Sequence, residues 1–190
     1  MPQNIVIFAS GEGSNAENLM RYFEGNLKVR VRLLFTSKSD AGVVEKAYAF
    51  GVPVIVLEKD KFYKGNYYVE LLRLLPADLI ILAGFLWKVP DFFVKAFEKR
   101  IINIHPSLLP KFGGKGMFGD TIHKAVLEQG ECESGITIHY VNNEYDKGVI
   151  IKQERFTIEA TETLMSLKEK IHRLEMETLP LVAERLINEM

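Results

Sequence analysis

One cysteine, Cys132, stands among 190 residues, so an internal disulfide framework is excluded and a reducing, cytoplasmic setting is expected. No apolar run approaches the roughly 18 residues that a membrane-spanning helix requires. The opening Met1-Pro2-Gln3-Asn4-Ile5-Val6-Ile7 lacks the basic stretch of a secretory signal. Positive charge is not in excess either, since 24 Lys and Arg face 25 Asp and Glu for a net charge of −1. Proteins that grip nucleic acid by its backbone usually carry a basic surplus. Neither a nucleic acid nor a membrane is therefore expected as a partner. The four histidines, His105, His123, His139 and His172, show no paired metal-ligand spacing, and one cysteine cannot build a thiolate site, so no metal is expected. Repeats, low-complexity tracts and linkers are absent too.

What is present is an ordinary globular mixture, 47% apolar and 26% charged, at a length that suits one domain over 1–190. In residues 1–110, β-branched apolar runs alternate with helix-like stretches. Strands are expected over Ile5–Ala9, Val29–Phe35, Val52–Val56, Asp78–Ala83 and Arg100–Ile104, with Val29, Val31, Leu33 and Phe35 on one face of the second. Helices are expected over Asn15–Phe23, Ala41–Phe50, Lys61–Leu75 and Pro90–Phe97. This alternation is the signature of an α/β fold, an open and mostly parallel doubly wound sheet. Residues 111–190 change character. The glycine-rich loop Gly113–Gly119 leads into a helix from Asp120 to about Gln129. Gly135–Val141 and Val149–Gln153 then flank a short turn and can pair only as an antiparallel hairpin. Leu164, Leu167, Ile171 and Leu174 are spaced along one stripe of a final helix, Thr163–Met190.

Three places carry chemistry. Ser10-Gly11-Glu12-Gly13-Ser14-Asn15 follows a buried strand and opens a helix, where backbone N–H groups and the helix dipole favour an anion. Gly11, Gly13 and Ala16 fit the loose dinucleotide spacing, but no acidic residue ends the second strand to hold a ribose. A phosphorylated small molecule or a plain tight turn suits the loop equally. Asn103 and His105 stand two apart at the carboxyl end of the fifth strand, so both face one side. An amide and an imidazole together suit a reaction that builds negative charge on a carbonyl oxygen. Asp146 lies in the hairpin turn with Glu144 as a competing carboxylate, and turn carboxylates often bond only their own backbone.

Taken together, the Ser10–Asn15 loop, Leu82-Ala83-Gly84-Phe85, Asn103-Ile104-His105-Pro106-Ser107-Leu108-Leu109-Pro110 and Tyr145-Asp146-Lys147-Gly148 resemble the phosphoribosylglycinamide formyltransferases, within the folate-dependent formyltransferase superfamily. The order and spacing agree from Ile5 to Pro180. The resemblance implies a Rossmann-like fold with a phosphate-binding parallel half, 1–110, and a folate-side extension with a terminal helix, 111–190. It implies formyl transfer from the co-substrate 10-formyltetrahydrofolate to the amine of glycinamide ribonucleotide. Asn103, His105 and Asp146 match the catalytic trio, with Asp146 keeping His105 charged. Gly13, Ser14 and Asn15, with His172, Arg173, Leu174 and Glu175, match the ribonucleotide site. Leu86, Trp87, Lys88 and Val89, together with Asn103 and Asn142, Asn143, Glu144, Tyr145 and Asp146, match the folate site, and Lys61 stands near the place of a family arginine. Lys147 departs from the pattern, which usually has two glycines after the aspartate.

The alternatives are a methionyl-tRNA formyltransferase, which normally adds a basic carboxyl-terminal domain, and an NADP-dependent oxidoreductase using Ser37 and Lys38 for a 2′-phosphate. A monomer and a homodimer are equally compatible with the sequence.

Overall fold

The computed structural model describes residues 2–190. Seven strands form one sheet in the order β3-β2-β1-β4-β5-β6-β7. The first five, β1 (Gln3–Ala9), β2 (Val29–Thr36), β3 (Val54–Val56), β4 (Leu79–Leu82) and β5 (Ile101–His105), run parallel. Strands β6 (Glu133–Tyr140) and β7 (Ile150–Thr157) add an antiparallel hairpin at one edge. The helices are α1 (Ser14–Tyr22), α2 (Val43–Ala49), α3 (Lys59–Lys64), α4 (Tyr67–Leu74), α5 (Asp91–Ala96), α6 (Asp120–Glu128) and α7 (Leu164–Asn188).

Strand β1 shows why the apolar runs read as continuous. Ile5, Ile7 and Ala9 enter a core shared with α1, α2 and α7, whereas Val6 and Phe8 enter a second, aromatic core under α3, α4 and α5. Both faces are covered, so the period-two alternation carries no polar partner. The aromatic core is dense: Phe8 packs against Phe35 at 4.7 Å between ring centroids and edge-on against Phe85 at 5.2 Å.

Two expectations are corrected. Strand β2 does not keep Val29, Val31, Leu33 and Phe35 on one face, because the pairing with β1 shifts register between Ile5 and Val6. Ile5 lies opposite Val31 and Val6 opposite Leu33, so the exposed Arg32 is an extra residue on β2. Such a bulge reverses the facing of everything after it. Val29 and Val31 therefore join one core, and Leu33 and Phe35 the other. The single helix expected over Lys61–Leu75 is two helices, broken where Gly65 turns extended at φ −153° and ψ 168°. Phe62 and Tyr68, one on each side of the break, both reach the aromatic core. The hairpin is longer than expected, with β7 running on to Thr157. Helix α7 starts on a capping box between Thr163 and Ser166.

Candidate active site

Strand β5 is central to the site. It pairs parallel with β4 on one side and antiparallel with β6 on the other, placing Asn103 opposite His139 and His105 opposite Thr137. Its exit is pinned in the interior. The buried Thr137 hydroxyl donates to the Ser107 carbonyl at 2.7 Å and accepts from the Leu109 N–H at 3.0 Å. The Gln153 side chain bonds the same hydroxyl and the Leu109 carbonyl, each at 2.9 Å. The turn after β5 is thus fastened to both strands of the hairpin. Asp146 is held differently. It sits in the β6–β7 connection with φ at 55°, a left-handed conformation that Asp tolerates better than most residues. Gly148, two residues on, has no room for a side chain, because a Cβ there would lie 1.6 Å from the Tyr140 carbonyl oxygen.

These segments bring Asn103, His105 and Asp146 together around one more histidine. His105 Nδ1 is 3.8 Å from an Asp146 carboxylate oxygen, and His139 Nε2 is 3.7 Å from the other. The Asn103 amide donates to His139 Nε2 at 3.1 Å, while His139 Nδ1–H donates to the Tyr140 carbonyl at 2.9 Å. His105 Nε2–H donates to the Phe112 carbonyl at 2.8 Å, and the Gly114 N–H donates to Asp146 at 2.8 Å. His139 was not singled out as a site residue from the sequence. No local sequence signal marks it: His139 comes directly across from Asn103 only through the antiparallel pairing of β6 with β5.

Burial pushes the His105 imidazole below its ordinary value, against the opposing influences of Asp146 and the Phe112 carbonyl, with His139 adding slightly to the depression. Asp146 thus acts in the expected direction, favouring the charged imidazole, and desolvation opposes it with the larger effect. For Asp146, burial works to raise the carboxyl. The proximity of both histidines and the Gly114 N–H win, and the carboxyl lies below its usual range.

A half-open cavity spreads in front of Asn103, His139 and Asp146. Of the expected folate residues, Trp87, Lys88, Val89, Asn142, Glu144 and Tyr145 line it, joined by Leu82, Phe85 and Val141. Leu86 and Asn143 do not line it, and Lys61 lies outside on α3, paired with Glu58 and over the Tyr67 ring. The walls are apolar and aromatic at the back and polar at the rim, a fit for a flat heteroaromatic ring system. Tyr145 stands at the mouth with Lys88 Nζ 5.9 Å from its ring. A larger cleft of about 390 Å³ opens at the opposite ends of β4 and β5, between Arg73, Asp78, Lys95 and Arg100. It borders none of these groups, and ligands of open α/β sheets bind outside the carboxyl ends of the strands.

On the far side of the sheet's carboxyl edge, Ser14 and Asn15 open α1. Gly13, its N-cap, has φ 72°, and a Cβ there would lie 2.3 Å from Val43 Cγ2. The glycine therefore makes way for α2. Asn15 Nδ2 donates to a Glu175 carboxylate oxygen at 3.1 Å, while Asn15 Oδ1 is buried with no partner. Glu175 as a residue is half-buried, but its carboxyl is closely surrounded, and that desolvation pushes it up to about 7 against the Asn15 hydrogen bond. His172 and Arg173 are exposed beside it, and Leu174 packs on the core. Ser37, considered for a 2′-phosphate, instead donates to the Ser10 hydroxyl at 2.7 Å. Among the described residues no helix is long and apolar enough to cross a membrane, and no group of three or more His, Cys, Asp and Glu is placed to hold a metal ion.

The chain is similar to known proteins over nearly its full length. It is 40% identical to the chloroplastic phosphoribosylglycinamide formyltransferase of Arabidopsis thaliana, over 97% of this chain and 67% of that protein. To the phosphoribosylglycinamide formyltransferase of Bacillus subtilis it is 36% identical, over 97% of this chain and 95% of the other. The crystal structure of phosphoribosylglycinamide formyltransferase from Bacillus halodurans superposes with a TM-score of 0.86 at 36% identity, covering 97% and 95% of the two chains. Residues 3–183 match the formyl transferase family, which leaves no place for the oxidoreductase reading, and the chain belongs to that family.

Proposed function

We propose that this protein transfers the formyl group of 10-formyltetrahydrofolate to the primary amine of glycinamide ribonucleotide, a step of purine biosynthesis, in the cytoplasm. The opening of Asn103 and Asp146 onto the cavity, with His105 Nδ1 3.8 Å behind the Asp146 carboxylate, carries the reading. The names of the relatives favour this acceptor over the methionyl-tRNA alternative.

The ribonucleotide phosphate sits at the N-terminus of α1, against the backbone of Gly13, Ser14 and Asn15. Glu175 and Asn15 hold the other end of that substrate, where a carboxyl poised near 7 can accept from hydroxyls or face the amine. Trp87, Val89 and Val141 enclose the folate ring, and Asn142, Glu144 and Tyr145 form its rim.

When the amine adds to the formyl carbon, negative charge collects on the formyl oxygen, and donors aimed there lower the barrier. Asn103 supplies one N–H. His105 already spends its Nε2–H on Phe112, so the only further proton it can offer is on Nδ1, which exists only in the imidazolium. Burial disfavours that cation in the empty site. Charge growing on the nearby oxygen, with Asp146 behind, favours it when it is needed. The proton lost by the attacking nitrogen reaches the departing folate nitrogen through His105 or water. These steps use no covalent enzyme intermediate.

The test is a turnover assay with both substrates, following loss of the formyl folate. Formylated ribonucleotide should accumulate in equal amount with free tetrahydrofolate. Formyl folate consumption with no dependence on the ribonucleotide would sink the assignment.

A further inference from the structure

The segment Phe112-Gly113-Gly114 opens the glycine-rich loop, and the reaction just described draws on it only for the Phe112 carbonyl that accepts from His105. Yet its backbone takes up one hydrogen-bonding atom on each of two catalytic side chains: the Phe112 carbonyl on His105 Nε2–H, and the Gly114 N–H on Asp146, both at 2.8 Å. Phe112 adopts a φ of 55° to present its carbonyl, a conformation that costs a bulky residue free energy and persists only where its surroundings enforce it. Gly113 lies so close to Asp146 that a Cβ would stand 3.2 Å from the aspartate Cβ and 2.5 Å from Leu109 Cδ2.

We propose that Phe112, Gly113 and Gly114 are positioning residues of the formyl-transfer site, whose docked backbone holds His105 and Asp146 in their reacting arrangement. The inference rests on the catalytic reading of those two side chains. Each contact acts in the same direction. A carbonyl on Nε2–H favours the imidazolium and leaves Nδ1, which faces Asp146, as the remaining donor, and an N–H on the carboxylate favours its ionised form. The groups that face His105 are Asp146 from the β6–β7 turn, His139 from β6 and, more distantly, His123 from α6. Of these only Asp146 favours the cation, so the loop carbonyl is its one ally against burial. An undocked loop would leave Asp146 free to turn within an exposed hairpin connection. A Cβ at Gly113 would press on both the Leu109 side chain and the Asp146 Cβ, shifting the loop against that carboxylate by a few tenths of an ångström.

Gly113→Ala tests this without requiring a left-handed backbone at that residue. Turnover should fall by about threefold to tenfold, less than the roughly hundredfold of a full ångström of misplacement at a reacting centre. The alkaline limb of the pH–rate profile should move to lower pH. In an Asp146→Asn background the same substitution should change turnover little, because the two act through one contact. An unmoved limb, or an equal loss in both backgrounds, would overturn the proposal. Should Gly113→Ala not fold, the wild-type protein answers by NMR. The Gly114 amide proton should follow the titration of a carboxylate and cease to do so in Asp146→Asn; an amide indifferent to that titration would overturn the inference equally. His105→Ala and Asp146→Asn run alongside separate the two layers. Full activity in both removes the catalytic reading and the loop's role with it, whereas their expected losses beside an unaffected Gly113→Ala remove the loop's role alone.

Discussion

The two halves of the sheet hold their functional groups by different means. In the parallel half, Asn103 and His105 project from β5, a strand paired on both sides, and their spacing of two residues places them on one face whatever the neighbouring loops do. In the antiparallel half, Asp146 projects from the exposed connection between β6 and β7, in a left-handed conformation, and is located by groups that belong elsewhere: His105, His139 and the Gly114 N–H. The strand fixes where its two donors stand, and for His105 the loop carbonyl of Phe112 then fixes the ring. The loop-borne charge depends on long-range contacts. A site built this way combines fixed hydrogen-bond donors with an adjustable carboxylate, and substitutions in the two halves should fail differently.

The largest effect should come from the rigid half. His105→Ala removes a donor from a position that nothing else can fill, and turnover should fall by about 10²–10³, or roughly 3–4 kcal/mol, with substrate dissociation constants little changed. A variant retaining half its activity would make His105 structural. Next is Gly13→Val, which places a branched side chain where even a Cβ meets Val43 at 2.3 Å. Overpacking of this kind costs about 1–3 kcal/mol, and the positive φ adds to it. The melting temperature should drop, and both substrates should bind less well through the displaced α1–α2 contact. Loss of ribonucleotide binding alone, at unchanged stability, would show that the glycine serves only the phosphate.

The adjustable half should respond through pH. The imidazolium of His105 is the competent form, so activity is present below its pKa and lost as pH climbs through it. Asp146 works to raise that pKa against burial, so Asp146→Asn should shift the alkaline limb further down, each unit corresponding to about 1.4 kcal/mol. Glu144 is exposed and paired with Lys147, and Glu144→Gln should leave the limb in place. Movement in Glu144→Gln but not in Asp146→Asn would exchange their roles. The smallest effect concerns Glu175, whose carboxyl lies at about 7. Ribonucleotide affinity of the wild type, measured by calorimetry, should gain on that of Glu175→Gln as pH rises through that value. A constant ratio between them would detach Glu175 from the substrate.

Much of this was readable before any coordinates. A strand buried on both faces announces itself as an apolar run, as Ile5–Ala9 does, and the Asn103–His105 pair needs only the period of a strand to share a face. What escaped was set by contacts between distant segments. Arg32 becomes an extra residue only when β2 is laid against β1, and the facing of Val31 and Leu33 follows from that register. His139 looks like one more residue of a hairpin until β6 is set beside β5. Local sequence fixes neither pairing. The direction of the His105 shift was missed for a related reason: the carboxylate could be named from the turn, but the desolvation that outweighs it depends on how several segments close over the ring.

The first and last helices meet at the ribonucleotide site, and their contact orders events in time. Asn15 bonds Glu175, Asn18 bonds the Met176 carbonyl, Tyr22 bonds Glu184, and Gln3 on β1 reaches the Ile187 carbonyl. During synthesis the phosphate-binding turn emerges early, at residues 13–15, while its acidic counterpart emerges some 160 positions later, as Asn15 and Glu175 are spaced. If Gly13–Asn15 and Glu175 clasp the ribonucleotide as proposed, a nascent chain cannot complete that clasp until α7 has emerged and docked. Because α7 also covers Ile5, Ile7 and Ala9, any condition that frays this helix opens the clasp and that face of the core together, so on heating the two should be lost in one transition.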